Sequence, residues 1–203
     1  MGADPAPGPA GALPEVALLE RALAWTCGHL ARVRPADLDR TTPCEDWDLR
    51  ALLAHMEDSL DAFAEAAAGF VVPLPPARLV QHPVARVPVL QAKAGALLGS
   101  WTRPVVPLVR TGSAVLPARV LVAAAALEIA VHGWDVASAL AGPGDGDSVL
   151  PGALALQLLP VAEATIAPED RPSRFARPNP AWSSTPSERL LCFLGRRPGS
   201  GLR

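Results

Sequence analysis

The chain has 203 residues and a mass of 21.1 kDa, with half of it apolar and 19% charged. That suits one domain with a sizeable core and excludes global disorder. Its net charge of −2, from 18 basic and 20 acidic residues without a long basic block, excludes nucleic acid and anionic membrane as expected partners. Ala and Leu are abundant, 23 Pro must lie between helices or in their first turns, and Tyr is absent, so an all-α fold is expected and an aromatic-rich β-sandwich is not.

Residues 1–13 read as a flexible Ala/Pro/Gly tail, since they hold neither the basic nor the apolar region of a signal peptide. Pro14 and Glu15 open a first helix, with Val16, Leu19, Leu23 and Leu30 at helical spacing to about Arg34, where Pro35 ends it. A connector follows. Asp48 is placed as the N-cap of a second helix from Leu49 to about Ala68, and Gly69 stands where a helix stop is wanted. Residues 70–87 carry Pro73, Pro75, Pro76 and Pro83 and read as a surface crossover.

A third helix is expected from about Pro88 to Thr102, then a turn at Thr111-Gly112-Ser113. Pro117 introduces a fourth helix, Ala118 to Leu140. Its most apolar part, residues 120–131, is interrupted by Glu128 and bounded by Arg119 and His132. It falls short of the ~20 apolar residues a bilayer needs and reads as a buried core helix. Residues 142–148 form a loop, and residues 150–167 a fifth helix that Pro160 kinks or splits. Residues 171–182 are irregular. Thr185-Pro186-Ser187-Glu188 is a capping box that starts a short tail helix to Leu194, stopped by Gly195. No strand pair is expected. The reading is a helical bundle with long Pro-rich crossovers and a C-terminal tail helix, in one domain over residues 14–198, with 199–203 a flexible end.

Three cysteines, Cys27, Cys44 and Cys192, form no CxxC pair, which argues against a disulfide scaffold and suits a reducing cytoplasm. Chemistry concentrates on the fourth helix. Glu128 and His132 are spaced i, i+4, one turn apart on one face of the most apolar helix. A carboxylate and an imidazole there must be hydrogen-bonded together, paired with an Arg from another helix, or bound to a cation. His55, amid apolar residues of the second helix, is the natural third member. Two His and one Glu from facing helices form a donor set for Zn²⁺, Ni²⁺ or Fe²⁺ with an open coordination position. No HExxH motif and no pair of Glu-x-x-His motifs is present.

Thr42-Pro43-Cys44-Glu45-Asp46-Trp47-Asp48-Leu49-Arg50-Ala51-Leu52-Leu53-Ala54-His55-Met56 resembles the opening motif of the mycothiol-dependent maleylpyruvate isomerase N-terminal domain, within the DinB/YfiT-like metalloprotein superfamily. Glu128-Ile129-Ala130-Val131-His132-Gly133-Trp134-Asp135 is similar to that family's second motif. Glu188 to Pro198 resembles the tail of its short, stand-alone metal-binding branch. The resemblance spans about residues 14–198. It implies a DinB-like four-helix bundle holding a divalent metal, foremost zinc, on His55, Glu128 and His132, with mycothiol or a similar low-molecular-weight thiol as co-substrate. The family's full-length enzyme has a further C-terminal domain beyond the point where this sequence ends, so the substrate stays open.

Several residues near the motifs are candidates for the layer around the ligands. Asp135 is a candidate acceptor for an imidazole N–H, which would fix its tautomer, or a solvated helix residue. Trp134 adjoins it, and Asp58 and Ser59 follow His55 closely enough to reach the rim, while Glu57 and Asp61 face solvent. Trp47 reads as a packing residue that pins the connector. Cys44 reads as structural, with no His or basic partner adjacent. His29 suits the end of the first helix, and His82 lies in the Pro-rich crossover, where it could cover a pocket mouth or add a fourth ligand.

The expected function is a metal-dependent enzyme, a thiol transferase or isomerase acting on a small electrophilic metabolite. The alternatives are a hydrolase or lyase that uses metal-activated water, and a non-catalytic metal- or small-molecule-binding protein. A monomer or homodimer is expected. Without a Tyr, no phenol is available as an acid or oxyanion donor.

Overall fold

Proline and short polar caps set the element boundaries. The computed structural model describes residues 14–44, 47–71, 86–102, 107–141, 149–171, 175–180 and 185–198. Helix α1, Pro14–Leu30, begins on its proline, and α2, Leu49–Ala67, begins where the Asp48 carboxylate accepts the Ala51 N–H at 2.8 Å. Gly69, at φ 97°, turns the chain out of α2, a conformation open to glycine at little cost. The remaining helices are α3, Arg86–Trp101; α4, Ala118–Leu140; α5, Gly152–Thr165; and α6, Pro186–Phe193. The Thr185 hydroxyl accepts the Glu188 N–H and caps α6 as expected.

Helices α1 to α4 form the bundle, with α1 against α4 and α3, and α2 against α3 and α4; α5 and α6 pack together outside it, with α5 also against α4 and α1. Helix α4 is apolar nearly all round, and Val122, Ala125, Ala126, Ala130 and Val136 are fully buried. Such a helix belongs at the centre of a bundle. It is long and apolar enough to cross a membrane by length and composition, contrary to the expectation from residues 120–131 alone, but 72% of its apolar window is buried inside the protein. The expectation of a core helix therefore stands on burial, not on shortness.

Small residues let α1 approach α4 closely. A Cβ built at Gly133 would stand 2.3 Å from Thr26 Oγ1 and 3.0 Å from Trp25, and the buried Thr26 hydroxyl donates to the Ile129 carbonyl at 2.9 Å. This hydrogen bond locks the two helices within a turn of His132.

Other elements differ from expectation. The first helix ends at Leu30, with a 3-10 turn at Pro35–Asp37. The third begins at Arg86, so Pro88 falls in its first turn, where its missing N–H costs no helical bond. The fifth passes through Pro160 without splitting. A small sheet was not expected: β1, Phe70–Val71, runs parallel to β2, Leu108–Thr111, which pairs antiparallel with β3, Ala114–Pro117. The turn read at Thr111-Gly112-Ser113 is the hairpin between β2 and β3, with Gly112 at φ 56°. These strands of two and four residues are too short to show a period-2 pattern, and Pro107 and Pro117 flank them. The expected tails at 1–13 and 199–203, the loop at 142–148, most of the 70–87 crossover with His82, and parts of 171–182 lie outside the described residues.

Candidate metal centre

Two helices and one connector build the site. His55 stands in the second turn of α2, and Glu128 and His132 stand one turn apart on α4. Packing of α2 on α4 brings His55 Nε2 to 2.7 Å from Glu128 Oε1, while His132 Nε2 lies 3.2 Å from the same oxygen. The three donor atoms lie within 4.8 Å of one another. Ser59, one turn after His55, donates its hydroxyl to Glu128 Oε1 at 3.3 Å.

Exposure grades across this group. The His132 side chain is 9% exposed, Glu128 27% and His55 36%, so the cluster is anchored in the bundle and opens toward solvent past His55. Beside it lies a narrow cleft with a volume of about 10 Å³, walled largely by apolar side chains such as Leu23, Met56, Leu60 and Ile129.

The connector closes the other side. The Thr42 hydroxyl accepts the Cys44 N–H and donates to the Trp47 carbonyl at 2.9 Å, drawing Cys44 and Trp47 together around it. The Trp47 ring lies 4.8 Å from that of His55 and 6.3 Å from that of His132. Trp47 thus packs as expected, and what it packs on is the candidate ligand set. Cys44 corrects an expectation, since its Sγ lies 3.9 Å from His132 Nδ1 and 3.2 Å from Arg196 Nη2. These partners are 88 and 152 residues away along the chain, invisible to a search among sequence neighbours.

Asp135 sits where the acceptor role requires. It is fully buried, its Oδ2 lies 2.9 Å from His132 Nδ1, and it receives the Cys44 thiol at 3.1 Å. Arg196, from the turn after α6, forks onto it: Nε meets Oδ1 at 3.2 Å and Nη2 meets Oδ2 at 2.8 Å. Cys44, His132 and Asp135 form a second group of metal-type donors, and the guanidinium of Arg196 already supplies positive charge there. Arg196 had no assigned role in the sequence. Its signals were its place in the Glu188 to Pro198 tail motif and a basic residue directly after the glycine stop of the tail helix. Trp134 lies in the apolar core, Asp58 is half-buried beside Ser59, and His29 packs edge-on against Trp25 in the last turn of α1. Glu57 pairs with Arg86 and Lys93, and Asp61 with Lys93.

Electrostatics follow the geometry. Burial disfavours the Glu128 carboxylate, yet the charge of His132 and hydrogen bonds from both imidazoles hold it well below the usual carboxylate range. Burial also works against the His132 cation, but the charge of Glu128 and hydrogen bonds to Asp135 and Cys44 hold its imidazole well above the ordinary value. Asp135, despite complete burial, is held far down by Arg196 and His132.

Two imidazoles and a carboxylate fit a divalent cation. A tetrahedral zinc ion sets its ligand atoms roughly 3.4 Å apart, within the spread of these three donors, and Glu128 among apolar side chains has no Lys or Arg partner among the described residues. The acceptor at His132 Nδ1 holds a ring proton there, so Nε2 is the nitrogen that would give up its proton to an ion.

Known proteins resemble this chain in sequence and in fold. The model of the mycothiol maleylpyruvate isomerase N-terminal domain matches residues 19–137, more than half of the chain. Uncharacterized proteins from two strains of Mycobacterium tuberculosis are each 28% identical over 177 residues, covering 82% of this chain and 89% of theirs. A crystal structure of a mycothiol-dependent maleylpyruvate isomerase superposes with a TM-score of 0.52 at 20% identity, covering 75% of this chain and 70% of that one. That likeness establishes the shared DinB-like bundle. The chain belongs to the mycothiol maleylpyruvate isomerase N-terminal domain family.

Proposed function

We propose that this protein is a divalent-metal-dependent enzyme that uses a low-molecular-weight thiol of the mycothiol type on a small electrophilic metabolite, transferring the thiol or isomerising a double bond. The observation that carries the reading is the convergence of His55, Glu128 and His132 from facing helices into one cluster that is closed behind and open in front. Family membership supports the thiol, and the similar crystal structure is of a mycothiol-dependent enzyme.

His55 Nε2, Glu128 Oε1 and His132 Nε2 would hold the ion. Zinc is the first choice, though nickel and iron accept the same donors. Such an ion lowers the pKa of a thiol or water at its open position, supplying a nucleophile at neutral pH.

The protein's own groups do the rest. Glu128 brings the negative charge that balances a cation, and Asp135 holds the proton of His132 on Nδ1 so that Nε2 faces the cluster. Trp47 lies against the His55 ring and restricts its orientation. The Ser59 hydroxyl, 3.3 Å from Glu128 Oε1, is the nearest neutral donor to the reacting region. Apolar side chains such as Met56, Leu60 and Ile129 line the narrow cleft beside Glu128 and His132. The three free cysteines suit a reducing cytoplasm, and the chemistry needs one copy of the chain, as a monomer or within a homodimer.

Metal analysis of protein purified without chelators is the test. Wild type is expected to carry about one equivalent of divalent metal and His132→Ala almost none. Titration of Co²⁺-loaded wild type with mycothiol is expected to raise a thiolate-to-cobalt charge-transfer band. Metal without that band would leave water-based hydrolase or lyase chemistry, and absence of metal would overturn the enzyme reading altogether.

A further inference from the structure

We propose that Arg196 is a positioning residue for the metal ligand His132, so that docking of the C-terminal tail sets the affinity of the metal site. The inference rests on the metal reading above and extends it to a segment far from the two ligand motifs.

The chain of contacts is short and continuous. Arg196 grips both oxygens of Asp135 through Nε and Nη2, at 3.2 and 2.8 Å, and Asp135 Oδ2 meets His132 Nδ1 at 2.9 Å. Two parallel N–H donors fix the plane of a carboxylate, which a single ammonium does not. Fixing that plane aims the second oxygen at Nδ1, which orients the imidazole and presents Nε2 to the metal cluster. The same Nη2 reaches Cys44 Sγ at 3.2 Å, so the guanidinium also ties the connector beneath Trp47 to α4.

Arg196 is itself held in place. Its N–H donates to the Leu191 carbonyl at 2.8 Å, and its Nη1 donates to the Leu194 carbonyl at 3.2 Å. Both contacts belong to the turn that ends α6. That turn depends on Gly195, at φ 80°, where a Cβ would stand 2.6 Å from the Ala176 Cβ and 2.8 Å from the Arg177 carbonyl oxygen. A side chain at 195 would be strained and would collide with the strip leading into α6, moving Arg196 away from Asp135. The Arg196 side chain is 11% exposed and Asp135 fully buried, so solvent does not substitute for the clamp.

The experiment compares wild type with Arg196→Gln, Arg196→Lys and Gly195→Ala by Co²⁺ titration, read through the ligand-field absorption, with circular dichroism as a check on folding. Arg196→Gln is expected to weaken Co²⁺ binding by about 10- to 100-fold, the usual effect of losing a partner that orients a ligand. Arg196→Lys, which keeps the charge but not the fork, should fall between Arg196→Gln and wild type. Gly195→Ala should weaken binding although the arginine remains. The ligand-field band of the glutamine variant should shift or broaden as His132 gains freedom. A purely structural role would lower thermal stability and leave both affinity and band shape as in wild type.

Folded variants with wild-type affinity and spectrum would overturn the inference while leaving the metal reading intact. Should Arg196→Gln not fold, Arg196→Lys carries the same comparison. A wild type that takes up no Co²⁺ would overturn the inference together with the reading it rests on.

Discussion

Glu128 and Asp135 stand on the same helix and flank the same imidazole, yet they are held in opposite ways. Asp135 is fully buried and has a guanidinium forked onto it. Glu128 keeps 27% of its side chain exposed, and its hydrogen-bonding partners among the described residues are two imidazoles and a hydroxyl. Both carboxylates are held below their ordinary range, Asp135 by a permanently charged arginine and Glu128 by an imidazole that carries charge only when protonated. A carboxylate with a resident cation is a structural joint. One without suits the cation proposed above. Among the described residues two clusters of metal-type donors share His132, and the guanidinium of Arg196 stands in one of them.

The sharpest way to break this comparison is to neutralise each carboxylate in turn. In metal-free protein Asp135→Asn should cost about 3–5 kcal/mol, because it strands the buried Arg196. Glu128→Gln should cost only about 1 kcal/mol, since its site is part-exposed, yet abolish stoichiometric metal uptake. Urea denaturation of the metal-free proteins and metal analysis of the same samples measure both. Equal stability losses would erase the distinction between joint and receptor.

Next in size is the close approach that backs His132. Gly133→Ala must push against Thr26 and Trp25 and should cost about 1–3 kcal/mol, as overpacking does. Its urea midpoint should fall without loss of helical signal. A neutral result would show that α1 can retreat from α4 without consequence.

The smallest effect concerns a third carboxylate. Asp37 is buried, accepts the Arg34 N–H at 3.0 Å, and pairs with Arg34 and Arg40. Arg40 in turn donates to the carbonyls of Ala139 and Leu140 at the end of α4. Burial opposes the Asp37 charge, but the Arg34 hydrogen bonds and both arginine charges hold its carboxyl below the ordinary 3.8. A lowered carboxyl contributes stability in full above 3.8, and that contribution drains away as pH falls through the lower folded value. Asp37→Asn should therefore cost about 1 kcal/mol at neutral pH, discounted for its exposed arginines. The gap from wild type should close in strong acid. A gap that stays constant with pH would mean that Asp37 acts by shape alone.

How much of this was legible beforehand differs from residue to residue. Thr185 and Asp48 announced their caps because capping is local chemistry with a fixed spacing. Glu128 and His132 announced a shared face because four residues make about one turn. His55 was legible as polar amid apolar neighbours, and its motif supplied the rest. The hairpin was not, because four-residue strands bounded by proline carry no period. The partners of Cys44 were missed for a related reason. Its neighbours in sequence are not its neighbours in space, and the groups that surround it come from α4 and from the far end of the chain.

The amino-acid order by itself determined a mainly helical bundle, the caps at Asp48 and Thr185, and the shared face of Glu128 and His132, because helix periodicity, capping and burial of apolar residues act over a few positions. Only the tertiary structure decided that Asp135 belongs to Arg196, that Trp47 lies over His55, and that Gly133 admits Thr26. Those pairings depend on which helices face each other and how closely, and the free energy that selects them is spread over the whole core, not encoded at any one position.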